Sequence, residues 1–245
     1  MLNILETNID GRSKIRPALF SGKFYLSNPE ALKTYTKQLL IDAPLRVFPY
    51  DKLRALIVPE GQHTICGKIL ATAYKILGLK KYVRRIFLFS KRRVGIEGLI
   101  FDGNHFWETP LGSVEVVHPK IISNYIIDSR PHFDSPAIET QLPFIQTVLP
   151  RFSITPILTD KTVGVEVINS FISSVSTKES VFIFITSSSQ NSNRAITEDN
   201  NFFDLLSELS SSRNWNKLTL GEENRIPTSK FPHIKESQQA AALLG

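Results

Sequence analysis

The chain is poor in cysteine. Cys66 stands alone among 245 residues. No disulfide can form within it, which excludes a disulfide scaffold and fits a reducing compartment; a cytoplasmic location is expected. No apolar run approaches the roughly 18 residues that would suggest a membrane span. The opening MLNILETNID has acidic residues and no basic n-region, so no signal peptide is expected. The patterns GxGxxG, P-loop, HExxH and GxSxG are all missing, which argues against dinucleotide, phosphoryl-transfer, zincin and hydrolase chemistry. No internal sequence repeat is present. The charge excess is small, +6 with a pI near 9.4, and does not argue for nucleic acid as a partner.

Hydrophobic residues make up 42% of the chain, which suits one α/β domain of ordinary core size. The most informative stretch is LRALIVPEGQHTICGKILATAYKIL, Leu53 to Leu77. An apolar run is broken by Pro59 and Gly61. A helical pattern follows through Ile65, Ile69, Ala73 and Ile76, with Gly78 placed as a terminal glycine. Three more apolar runs resemble buried strands: Val83–Phe89, Phe152–Leu158 and Val181–Ile185. Asn28, Pro29 and Glu30 open a helix that Pro44 stops. Short marginal strands are expected at Ile96–Phe101 and in TPLGSVEVV. A short helix is expected from Pro119 to Ile127 and another around Ala137–Gln141. Helical spacing runs through Val163–Val175 and from Thr197 to Leu209. The alternation predicts a three-layer α/β fold with a mostly parallel central sheet and helices on both faces. The organisation expected is an arm at 1–15, an α/β domain at 16–212 and a tail at 213–245. The tail reads as loop with a short Ala/Leu helix at its end.

In such a sheet, functional residues gather in the loops after the strands. The first loop holds Glu60, His63 and Cys66. His63 and Cys66, three apart, could share a helix face and a metal, but metal sites usually need three or four ligands. The plainer reading is a polar first-turn residue beside a small buried thiol. Lys80, Lys81, Arg84, Arg85, Lys91, Arg92 and Arg93 form a basic stretch without an aromatic stacking pattern. The serines of TSSSQNSN, Ser189 and Ser192 among them, could form an anion nest or an ordinary polar loop.

The order of segments resembles the MEMO family, the B component of the AmmeMemoRadiSam set, from about Arg16 to about Asn193. RPALFSGKFY is similar to the family's Arg, Gly, Trp/Phe-Tyr signature. ALIVPEGQHTICG resembles its strand ending in Pro-His-Ala-Gly-Tyr. RRIFLFSKR sits where the family has Gly-Pro-Ser-His. ETPLGSVEV, SPAIETQLPFIQ, FSITPIL and IFITSSSQNS resemble four further segments, and Glu139 is retained. The resemblance implies a fold like the class III extradiol dioxygenases. Family members carry histidines in a pocket at the strand ends, and some bind iron or copper. By the same resemblance this chain departs from the pattern. Glu60, Arg92 and Pro136 replace histidines, and Ser189 and Ser192 replace an aspartate and a histidine. Arginine has no lone pair to give a metal. The expectation is therefore a non-catalytic binding or accessory protein with no metal or cofactor. Its partner would be a protein or a small anionic ligand. Glu60 and Arg92 would face each other in the former metal pocket. Two other readings stay open here. One is an enzyme with an altered ligand set of Glu60, His63, Cys66 or Glu139. The other is an anion-binding module built on Arg92.

Overall fold

The computed structural model describes residues 14–45, 47, 49–91, 98–120, 125–160, 163–186, 206–224 and 237–245. The chain enters through a short strand, β1 (Ile15–Arg16). Asn28 then accepts from the Ala31 N–H at 2.9 Å and caps α1 (Pro29–Asp42), with Pro29 and Glu30 in the first turn. A single 3-10 turn (Tyr50–Lys52) leads into β2 (Leu53–Pro59), α2 (His63–Leu79) and β3 (Arg85–Lys91). Four short strands follow: β4 (Leu99–Phe101), β5 (Phe106–Thr109), β6 (Gly112–Val116) and β7 (Tyr125–Ile127). Next come the short helices α3 (Arg130–Phe133), α4 (Pro136–Glu139) and α5 (Leu142–Val148). The strand β8 (Ser153–Thr159), helix α6 (Val165–Val175) and strand β9 (Ser180–Thr186) complete the alternation. A helical stretch at 206–212 precedes β10 (Asn216–Asn224) and β11 (Ser237–Leu244).

The four predicted apolar runs form the centre of the sheet, in the order β8-β3-β9-β2, all parallel. Travel from β2 to β3 to β8 runs one way across the sheet, and α2 and α5 lie on one face. Travel from β8 to β9 reverses, and α6 lies on the other face. One crossover hand requires that change of face.

The period of two along each strand divides the core. Leu56, Val58, Ile86, Leu88, Ile183 and Ile185 face α2 and α5. Ala55, Ile57, Phe87, Phe89, Phe182 and Phe184 face α6. On that second face Phe87 stacks on Phe182 and Phe89 on Phe184, at 5.1 and 5.0 Å between centroids. Phe171 of α6 meets Phe87 and Phe89 edge-on. Ile57, Ile69, Phe87, Leu88, Ile157, Phe182 and Phe184 are all buried.

Three expectations are corrected. Gly78 does not end α2, which runs on to Leu79. Its absent side chain serves packing instead, since a Cβ there would lie 3.0 Å from Val148 Cβ of α5. The helix expected up to Ile127 gives way at Tyr125–Ile127 to β7, which pairs with β4; aromatic and β-branched residues favour that pleated surface. The tail expected as loop with an Ala/Leu helix at its end instead supplies two strands of the sheet, β10 and β11. Ala241, Ala242 and Leu243 of β11 pair antiparallel with Ile57, Leu56 and Ala55 of β2. Alanine is the best helix former, but a place beside a central strand overrides that preference in so short a segment.

Candidate functional site

The carboxyl ends of β2, β3, β8 and β9 meet at one pole. There the Glu60 N–H donates to the Thr186 carbonyl at 2.8 Å, which extends the β2–β9 pairing by one residue. Glu60 is half-buried. Gly61 turns the chain with φ +155°, a conformation that favours glycine, and lies against Cys66. His63 then begins α2, and its backbone N–H donates to the Phe24 carbonyl at 2.8 Å. The start of the helix is thus held by the N-terminal segment, since Gln62 makes no side-chain cap.

The His63 imidazole is buried between the rings of Tyr25 and Phe144. Its Nε2 lies 2.7 Å from the Thr140 carbonyl. A carbonyl only accepts, so Nε2 carries the proton. Burial holds this imidazole down to about 4, against the Thr140 hydrogen bond, which raises it. Nδ1 is buried without a hydrogen-bond partner. The Cys66 thiol, also buried, donates back to the Gln62 carbonyl at 3.1 Å.

Glu139 lies at the end of α4, fully buried. Its Oε2 accepts from the Arg16 guanidinium and from the Leu19 N–H at 3.2 Å. Its Oε1 accepts from the Phe20 N–H at 2.8 Å and from the Tyr25 hydroxyl at 2.7 Å. Arg16 is equally buried, donates also to the His132 carbonyl at 3.0 Å, and stacks 4.0 Å above the Trp107 ring. Burial first, and the Glu139 carboxylate second, hold the Tyr25 hydroxyl protonated far above its usual range. This is a closed lock that pins residues 16–25 onto α4. Beside it Asp102 accepts from Asn104 and from the Trp107 indole. His132 faces the Ile100 carbonyl at 3.2 Å. Burial holds it down to about 4, and nearby Asp102 opposes that.

Of the predicted site residues, His63, Cys66 and Glu139 are brought together. His63 and Cys66 share the first turn of α2. Glu139 joins them through Thr140, its neighbour, and through Tyr25, which touches both. Glu60 stands just before them at the end of β2. Arg92, Ser189 and Ser192 lie outside the described residues. A cavity of about 510 Å³ on the other face of the sheet is lined by Ile57, Ser210, Trp215 and Lys217, and none of the predicted residues lines it. Arg16 and Tyr25 belong to the lock and were not among the predicted site residues. Their signal was present in RPALFSGKFY, but its partner Glu139 is 123 residues away from Arg16.

The donors described here do not fit a metal centre. The imidazole Nε2 is committed as a donor, the thiol proton points back along its own helix, and the Glu139 carboxylate already accepts four hydrogen bonds. Among the described residues no three His, Cys, Asp or Glu side chains are grouped to hold an ion. No helix among them is long and apolar enough to cross a membrane.

A family model described as Memo-like protein matches residues 16–225. The chain is 30% identical over 153 residues to the Protein memo-1 homolog of Caenorhabditis elegans, covering 58% of this chain and 42% of that protein. It is 26% identical over 161 residues to a MEMO1 family protein of Sulfolobus acidocaldarius, covering 59% and 57%. The MEMO1 family protein MHO1 of Saccharomyces cerevisiae is 30% identical over 104 residues, covering 42% and 30%. The matches thus span between 30% and 57% of these relatives' own lengths. The matched residues take in the Arg16–Tyr25 segment, the turn after β2 and Glu139 together, and the chain belongs to the Memo-like protein family.

Proposed function

We propose that this chain is a non-catalytic binding or accessory member of its family, whose strand-end pocket has exchanged metal ligands for other polar groups. The observation that carries this reading is the commitment of His63, Cys66 and Glu139 to protein partners. His63 Nδ1 keeps one lone pair, but one ligand does not make a centre that needs three or four. Glu60 stands where the resemblance places a histidine, and Arg92, where it places another, can give no lone pair. In this reading Glu60 and Arg92 face each other across the pocket, and their ion pair occupies the space of an ion. The ligand of such a pocket is a protein segment or a small anion that competes with Glu60 for Arg92.

The test is a thermal-shift titration of the full chain with Fe(II), Cu(II) and Zn(II). The expected result is no saturable rise in melting temperature at stoichiometric metal. A saturable rise that Glu60→Ala or Cys66→Ala abolishes would overturn the reading in favour of an altered metal site.

A further inference from the structure

We propose that the opposite pole of the sheet, ringed by cations around Tyr82, is a docking surface for an anionic lipid membrane. In a parallel block every strand begins at the same end, so basic residues that precede the strands converge there. Lys52 and Arg54 open β2, Arg84 and Arg85 open β3, and Arg151 precedes β8. Lys178 precedes β9 in the same way.

These residues are neighbours across the sheet. Arg85 pairs with both Ser153 and Ser180. The Arg84 guanidinium donates to the Arg151 carbonyl at 3.4 Å, and its backbone N–H donates to the Glu179 carbonyl at 3.0 Å. On the β2 side, Lys80 and Arg54 both donate to the Asp51 carbonyl, at 3.1 and 3.3 Å. Asp51 and Glu179 are the acids within these segments, and both are exposed. Among the described residues no carboxylate lies within ion-pair distance of the cations; the ion pairs Arg16–Glu139 and Arg130–Asp128 lie elsewhere. Burial first and Arg54 second press the Lys80 ammonium below its usual range, and Asp51 opposes them.

At the centre is the turn from α2 to β3. Tyr82 is 75% exposed and Leu79 42% exposed, an apolar tip within the ring of charge. Tyr82 has φ +63°, a conformation that bulky side chains rarely adopt. The fold itself would take glycine there more easily, so the turn presents an aromatic that packing does not require. A tyrosine at the headgroup level with cations around it is the chemistry of a membrane interface. Single-stranded nucleic acid would call for a series of exposed stacking rings; among the described residues of this face Tyr82 is the exposed one, while Tyr50, Phe152 and Trp215 are half-buried. Docking here leaves the pole that carries Glu60 and His63 facing away from the lipid.

Sedimentation of the full chain with phosphatidylcholine vesicles, with and without phosphatidylserine, tests the proposal. Binding is expected only with phosphatidylserine and should weaken as salt rises. Each neutralised cation should weaken it about fivefold, so Lys81→Gln/Arg84→Gln/Arg85→Gln should lose about a hundredfold. All three residues are exposed, and an unchanged melt confirms that the variant is folded. Tyr82→Ser should remove the part of the binding that survives high salt. Absence of binding to phosphatidylserine vesicles overturns the proposal, as does equal binding by the folded triple variant. Tighter binding to a single-stranded oligonucleotide than to the vesicles overturns it too, and assigns the face to nucleic acid.

Discussion

Two neighbouring regions satisfy their buried polar groups to different degrees, although each leaves one nitrogen, Arg16 Nε and His63 Nδ1, without a partner. In the lock, both oxygens of Glu139 are filled, and Arg16 meets Glu139, His132 and Trp107. In the turn after β2, His63 keeps an unpartnered Nδ1, and the Cys66 thiol bonds to its own helix. The lock holds the Arg, Tyr and Glu that the resemblance assigns to the family, and in the proposed reading the turn departs from it at Glu60. The contrast separates holding the fold from doing chemistry. Residues that fasten the N-terminal segment to the sheet answer to packing, and a fold keeps them whatever its pocket does.

Breaking the lock is the harshest test of that separation. Glu139→Ala leaves a buried guanidinium without its carboxylate and should cost about 3–5 kcal/mol in urea unfolding. The paired change Arg16→Met/Glu139→Leu should cost less than Glu139→Ala alone, because no charge is then stranded.

Acid attacks both regions at once. His63 and His132 are held near 4 in the folded state against an ordinary value of 6.5. Between those values the unfolded chain binds more protons, so stability is full above pH 6.5 and falls as pH drops towards 4. The loss at pH 5 should be about 2 kcal/mol for each histidine. Urea melts from pH 7.5 to 4.5 should show it, and His132→Gln should flatten the curve by about half.

Gly78 probes the packing that underlies both regions. A methyl group there meets Val148, so Gly78→Ala should destabilise by about 1–3 kcal/mol despite its better helix propensity. Glu60 sharpens the comparison from the other side. It is half-buried, and Glu60→Ala should cost about 1 kcal/mol or less, with Arg92→Ala adding nothing further. An effect as large as that of Glu139→Ala would erase the distinction between lock and turn.

The parts of the fold that rest on local pattern were legible in the sequence. Four continuous apolar runs announced the parallel strands, because strands covered on both faces admit few polar residues. Asn28 announced α1 through its own hydrogen bond. What depends on distant partners was not legible. The Ala-rich β11 became a strand because β2 offered it an edge. Gly78 answers to a valine 70 residues on, not to the end of its helix. Within the site, Glu139 could be singled out as an acid in a family segment. Its four donors come from residues 16–25, and no spacing rule connects the two. The basic stretch at 80–93 is continuous only in sequence. Its first four cations lie at the amino end of β3 and Lys91 at the carboxyl end, because a seven-residue strand separates them.

The central claim is that the pocket at the strand ends is no longer a metal site. Elemental analysis of protein purified without an affinity metal column tests it most directly. The account predicts iron, copper and zinc far below one equivalent per chain, unchanged by Glu60→Ala. One equivalent of a transition metal that disappears in Glu60→Ala, with the fold intact, would contradict it.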